Sequence, residues 1–478
     1  MKKQMDMSID AKIGLKERLA YTLGGGGVNM SLAVLGLLLT YYTMVLKIPA
    51  GTATMVIGIS KLLDGLSDLV MGWIVDHTHT KNGKAKPWLF RMAFPTAIAV
   101  IAAFMVPTSW STPAQVVYMF VTYNLSTTIC VTAIAVPFSS LNGYMTTDQK
   151  ARGVNGGFVM IINALTNTLV TSTYLILARV FGNGEVYSPR GWTITMIIYS
   201  VIFTIMLLVC YFGTYERASD VETKQDGKTE QKVSLKRSFG SLITNKYWLI
   251  CIGAIMSVFI LSALLAQSMV YFAQFVLNDI DQQAALTIAM SLSMIPAAIV
   301  SIGLMGKLGK RNMMCFGMMF FAICSLLPLI NMSAGMCIVS MALKGIGLGI
   351  AAAPSSSIVL DALTYGEWKN GFSNMGLGNA ANSFSMKLGT SLGTIVLGSL
   401  LQIGGFVSGA DVQSASAVSM ITNIFVWVPF IFAAFAAVIL LFYNLDKLYP
   451  SIVADLKEGK YAPGVVADNI QINEKESI

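Results

Sequence analysis

Apolar runs of about 20 residues recur along this 478-residue chain near 19–46, 51–76, 87–107, 112–141, 153–181, 192–213, 246–276, 283–304, 311–330, 333–353, 373–403 and 414–443. Each is long enough to cross the hydrocarbon core of a bilayer, where only helices and closed barrels satisfy their backbone. The pattern predicts an all-α membrane protein with about twelve transmembrane helices. Only 12% of the residues are charged and 55% are hydrophobic, against a charged fraction of about 25% in soluble domains. Assigning the 32 Lys and Arg to alternating loops puts about 26 on one side. About three (Lys47, Arg179, Arg190) fall on the other side and the rest within helices, which places both termini in the cytoplasm. The net charge of +8 is therefore a mark of topology, and no nucleic-acid partner is implied. The six cysteines stand singly in apolar runs, without metal spacing, and are expected to be packing residues. The first run continues well past the length of a signal-peptide core, so it is expected to remain as a helix, and no appended soluble domain is expected.

The longest polar connection, Thr214 to Lys246, separates six runs from six. It divides the chain into an N-terminal bundle (1–213), a cytoplasmic linker (214–245), a C-terminal bundle (246–443) and a cytoplasmic tail (444–478). Short basic turns follow the second run of each half, His77 to Lys86 and Gly306 to Arg311, a hint of repeated halves and of alternating access. Gly24 to Gly27 stand in succession in the first run, where four glycines weaken a helix by roughly 1 kcal/mol each. Close packing against a neighbouring helix explains them better than ligand contact.

The second run contains the sharpest signal, Lys61-Leu-Leu-Asp64-Gly-Leu-Ser67-Asp68-Leu-Val-Met-Gly72. At about 100° per residue, Lys61, Asp64, Ser67, Asp68 and Gly72 share one helix face. A charged side chain at the bilayer centre costs about 2.5–3.5 kcal/mol and usually marks an ion or substrate path. Two carboxylates one turn apart resist joint ionisation, so they share a proton, lean on Lys61, or hold a cation. A structural ion pair between Lys61 and one aspartate is the plainer alternative.

Beyond Asp76 the chain runs His77-Thr-His79-Thr-Lys81-Asn-Gly83-Lys84-Ala-Lys86-Pro87-Trp88, and a second segment reads Asp361-Ala-Leu-Thr-Tyr365-Gly366-Glu367-Trp368-Lys369. With Asp64, Asp68, Leu19-Ala20-Tyr21 and Lys387, these resemble the glycoside-pentoside-hexuronide:cation symporters, a melibiose permease-like branch of the major facilitator superfamily. The resemblance reaches from the first run to the eleventh. It implies two six-helix bundles rocking about a central site, and symport of a sugar or glycoside with Na+ or H+. On the family pattern Asp64 and Asp68 match the cation-site carboxylates, Ser67 stands where the pattern has an Asn ligand, and Thr132 matches a nearby threonine. Asp64 and Asp68 would thus be the ligands of a coupling metal ion, if that ion is Na+.

The family's sugar site departs further. Its Asp, Asp, Trp and Arg are replaced here by Asn29, Ala135, Ser139 and Met160, so a galactoside held by paired carboxylates and an aromatic platform is not expected. Lys387 is kept, with Ser383 one turn before it. Lys344 lies in the middle of the tenth run and is unexplained by the resemblance. If Lys344 and Lys387 both face the central cavity, an anionic substrate such as a uronide or sulfosugar follows. The alternative is that Lys344 bonds a carbonyl of its own or the next helix. Asn29, Ser139, Lys344, Ser383 and Lys387 are accordingly the candidate substrate residues, and Asp76, Lys84, Lys86 and Glu367 the candidate gating residues.

His77 and His79, the only histidines, have no companion cysteine for a metal site. No nucleophile–base constellation or phosphate loop accompanies the carboxylates, so an enzyme is not expected, nor any cofactor beyond the coupling ion. The expected partners are the lipid bilayer and a small solute, with the chain acting as a monomer in the cell membrane. The stripped sugar pocket leaves open a relative adapted to a non-sugar solute, such as a lipid or amino-acid derivative, or a non-transporting receptor.

Overall fold

The computed structural model describes residues 13–78, 80, 82–146, 148–217, 235–372, 374–458 and 460–462. His79, Lys81, the side chain of Asp76, the charged middle of the linker (218–234) and both chain ends lie outside the described residues.

The described residues form helices: α1 (Leu15–Val45), α2 (Ala50–Asp76), α3 (Lys86–Ala103), α4 (Thr112–Met145), α5 (Gln149–Phe181), α6 (Pro189–Gly213), α7 (Leu235–Ile243), α8 (Lys246–Phe275), α9 (Gln282–Leu308), α10 (Lys310–Leu329), α11 (Ala334–Asn370), α12 (Met375–Ile403), α13 (Ala415–Leu441) and α14 (Leu445–Lys457). Among the described residues ten are long and apolar enough to cross a membrane. The two other long helices are α2, which carries Lys61, Asp64, Asp68 and Asp76, and α3, with 18 residues. Two short helices, α7 and α14, occupy parts of the chain that the sequence marks only as linker and tail. Helix α11 runs unbroken through Pro354, so the Asp361–Lys369 motif belongs to the end of the tenth run's helix.

The chain divides into two compact units, one comprising 1–230, 273–288 and 394–420, the other 231–272, 289–393 and 421–478. Segments 273–288 and 394–420, which sequence assigns to the second half, are thus grouped with the first.

In the first unit α1 packs against α5 and α6, and the four glycines make this possible. A methyl on Gly24 would sit 2.8 Å from Cys210 Cβ, on Gly25 2.7 Å from Val159, on Gly26 2.7 Å from Ile162, and on Gly27 3.0 Å from the Phe203 carbonyl. Close packing is therefore what the glycine run serves. Glu17 at the start of α1 forms a bidentate pair with Arg217, both bonds 2.8 Å and both side chains buried. Beside it Glu216 accepts the N–H groups of Lys84, Ala85 and Lys86 at 2.7, 3.0 and 2.7 Å, satisfying the orphan donors where α3 begins and placing a negative charge at that helix end.

In the second unit α10 and α11 cross at two glycines. A methyl on Gly317 would lie 2.6 Å from the Gly347 oxygen, and one on Gly347 2.7 Å from the Gly317 oxygen. Small residues let membrane helices touch backbone to backbone, where dispersion rather than hydrophobic burial holds them. Further along α11, Asp361 pairs with Lys310 at 2.5 Å and Trp368 donates to Asp455 of α14 at 3.1 Å.

Candidate functional site

Helices α2 and α4 are joined by three polar rungs whose members are each 64 residues apart. Asn124 donates to Ser60 at 2.8 Å, Thr128 to Asp64 Oδ1 at 2.5 Å, and Thr132 to Asp68 Oδ1 at 3.3 Å. Ser67 lies between the last two, its hydroxyl donating to the Asp64 carbonyl at 2.9 Å and meeting Thr132 Oγ1 at 3.2 Å. The structure thus brings together Asp64, Ser67, Asp68 and Thr132, the four residues named from sequence for the cation.

Local backbone shape explains how α4 keeps its side of the ladder. Residues four apart on an α-helix drift by about 40° per step, since a turn takes 3.6 residues. Over Leu125–Val131 the helix widens into a π turn, which winds more residues into each revolution and turns part of that drift back. Thr132 Oγ1 correspondingly reaches the carbonyl of Thr127, five residues earlier, at 3.4 Å. Such widened turns collect at functional sites.

The ladder offers two carboxylates and the hydroxyls of Ser67, Thr128 and Thr132, an all-oxygen set suited to a hard monovalent cation or a shared proton. Three carboxylates or imidazoles, as a divalent ion would favour, are not gathered anywhere among the described residues. One turn before Asp64, Lys61 directs its ammonium to Thr394 Oγ1 at 3.0 Å.

Sequence did not single out Ser60, Asn124 and Thr128. The signal was present in the spacing, because Asn124, Thr128 and Thr132 repeat every four residues and mirror Ser60, Asp64 and Asp68.

The residues named for substrate are found in varied settings. The Asn29 amide donates to the Asn163 carbonyl at 2.8 Å and Thr166 Oγ1 at 3.1 Å, tying α1 to α5. Ser139 is exposed and donates to the Val136 carbonyl of its own helix at 2.7 Å. Ser383 is exposed and Lys387 half-buried on α12. Lys344 is fully enclosed. Its Nζ donates to the Phe425 carbonyl of α13 at 3.2 Å and lies 4.3 Å from the centre of the same residue's ring. The carbonyl alternative therefore describes Lys344, on a helix that sequence did not foresee, and the two-cation argument for an anionic substrate is reduced to Lys387.

Of the gating residues, Lys84 and Lys86 are held by Glu216 through their backbone, and Lys86 Nζ donates to the Thr214 carbonyl between the rings of Tyr211 and Tyr215. Both attachments lie within the first unit. Glu367 is part-buried near the end of α11, and the side chain of Asp76 lies outside the described residues.

Residues 20–447 match the family profile described as MFS/sugar transport protein. The isoprimeverose transporter of Lactiplantibacillus pentosus is 29% identical over 458 residues, 95% of this chain and 93% of that one. The glucuronide carrier protein homolog of Escherichia coli K12 is 26% identical over 448 residues, 92% and 95% of the two chains. The crystal structure of a D-xylose-proton symporter superposes with a TM-score of 0.65 at 14% identity, covering 91% of this chain and 98% of that one, a likeness of fold. With a family match over most of its length and a polar ladder crossing two of its helices, the chain belongs to the MFS/sugar transport protein family as a glycoside-pentoside-hexuronide-type symporter, a multi-pass protein of the cell membrane.

Proposed function

We propose that the chain imports a sugar or glycoside by alternating access, driven by the simultaneous entry of Na+ or H+, through twelve membrane helices with both termini in the cytoplasm. The observation that carries this reading is the convergence of Asp64, Asp68, Ser67, Thr128 and Thr132 on facing helices. Two carboxylates balanced by the Lys61 ammonium leave one negative charge inside the membrane, which one monovalent cation cancels. One cation per solute is the expected stoichiometry. Thr128 and Thr132 hold the carboxylates in place, so that an arriving ion exchanges water for a prepared set of oxygens.

Coupling requires that the two access states differ in their affinity for the ion. An acidic glycoside is the finer reading of the substrate. It rests on Lys387 and on the glucuronide carrier among the relatives.

The test is thermal unfolding of the purified protein against neutral glycosides, uronides and sulfonated sugars, each with and without Na+ and across pH. Ligands that bind only the native state raise the Tm. A sugar whose shift grows with Na+ or falling pH, and loses that growth in Asp64→Asn and Asp68→Asn, is the expected result. A sugar shift indifferent to both ions, or unchanged in the two variants, would overturn cation coupling.

A further inference from the structure

Four helices of the second unit contain an interior proline, α9 (Pro296), α11 (Pro354), α13 (Pro429) and α14 (Pro450), and each proline removes one backbone hydrogen bond. Pro429 of α13 has no N–H for the carbonyl four residues earlier, Phe425, and Pro354 of α11 has none for Ile350. In lipid an orphaned carbonyl finds no water, and neighbouring side chains re-satisfy it. The Phe425 oxygen accepts from Lys344 Nζ at 3.2 Å, and the Ile350 oxygen accepts from Ser301 Oγ at 2.8 Å. The carbonyls freed by Pro429 and Pro354 thus each receive a donor from an adjacent helix.

We infer that Lys344 is a positioning residue that replaces the hydrogen bond Pro429 takes from α13, and that Ser301 does the same for Pro354 in α11. Lys344 suits its place because one residue supplies both its acceptors. The Phe425 carbonyl takes an N–H, and the Phe425 ring, stacked on Phe272 at 3.7 Å and 10°, presents its face to the nitrogen. No carboxylate pairs with Lys344 among the described residues, and it is fully enclosed. An N–H donates to a carbonyl whether or not the amine is protonated, so the contact does not need a buried charge. The freed carbonyls are therefore re-satisfied across helix boundaries, α9 serving α11 and α11 serving α13.

Restoring the missing N–H tests this without any transported solute. Lys344→Met should lower the Tm of the detergent-purified protein by about 3–5 °C. Adding Pro429→Ala, which returns an N–H to Phe425, should recover at least half of that loss. Ser301→Ala should be recovered by Pro354→Ala and not by Pro429→Ala, and Lys344→Met by Pro429→Ala and not by Pro354→Ala. This crossed pattern distinguishes a pin from general packing, which either proline replacement would help equally or not at all. Should Lys344→Met not accumulate, Lys344→Gln keeps a donor and should fold, and the pattern is read from whether Pro429→Ala restores accumulation of Lys344→Met. Equal rescue by both prolines, no rescue by Pro429→Ala, or a Lys344→Met protein as stable as the parent would overturn the inference.

Discussion

In the first unit Ser60, Asp64 and Asp68 bond to the side chains of Asn124, Thr128 and Thr132, whereas in the second Ser301 and Lys344 bond to the backbone carbonyls of Ile350 and Phe425. Both arrangements satisfy polar groups that lipid would not tolerate, but they leave different things behind. Side chains bonded to side chains can exchange one partner for an ion, since each can rotate. A side chain bonded to an orphaned carbonyl is committed, because it stands in for the N–H that the proline lacks. An ionisable residue in a membrane helix can therefore mark a site or a repair, and its partner tells which.

The comparison also orders the cost of removing each group. Where a charge loses its opposite, the stranded charge is expensive, and where a carbonyl loses a donor only one neutral bond is lost. Glu17→Gln should be the most damaging to stability, by about 3–5 kcal/mol, because Arg217 is buried against it. Denaturant unfolding in detergent would measure it. Asp64→Asn should cut cation-driven accumulation by about 100-fold, a loss near 2.7 kcal/mol, while leaving equilibrative exchange measurable in vesicles without a gradient. Thr128→Val should weaken the cation's effect on Tm by about tenfold in ion concentration, with Thr128→Ser close to the parent. Ser301→Ala should cost only about 1–2 kcal/mol, and a loss matching that of Glu17→Gln would break the distinction between the units. Arg179→Gln should be the mildest. Its bidentate pair with Asp281 is exposed, with side chains 38% and 57% accessible, so less than about 1 kcal/mol is expected and salt should erase it.

The helical class and the paired carboxylates of α2 were legible because both depend on periodicity along one helix. Asp64, Ser67 and Asp68 advertise themselves by charge and polarity within an apolar run. Thr128 was hidden because threonines are common in membrane helices, bonding their own backbone, and only the facing helix makes this one different. The π turn leaves no mark in composition. Lys344 was legible as an anomaly but not as a repair, since its partner stands 81 residues away and the reason for that partnership, Pro429, lies beyond it. Residues 214–217 read as the start of a polar linker because Glu216 and Arg217 are charged, and their work is to neutralise and cap helices distant in sequence.

The glycine run in α1 has a consequence for rotational registration. Successive helical residues point about 100° apart, so four in succession face every direction around the axis. At that level the helix is a smooth cylinder, and its neighbours would meet a similar surface if it were turned by one residue. Shape does not key α1 there. Its angular setting is keyed on either side of the smooth section by directional contacts: Glu17 with Arg217, Arg18 with Asn155 and Tyr21 stacked on Phe138 before it, and Asn29 with Asn163 and Thr166 after it. These contacts act as the splines on either side of a featureless stretch of shaft.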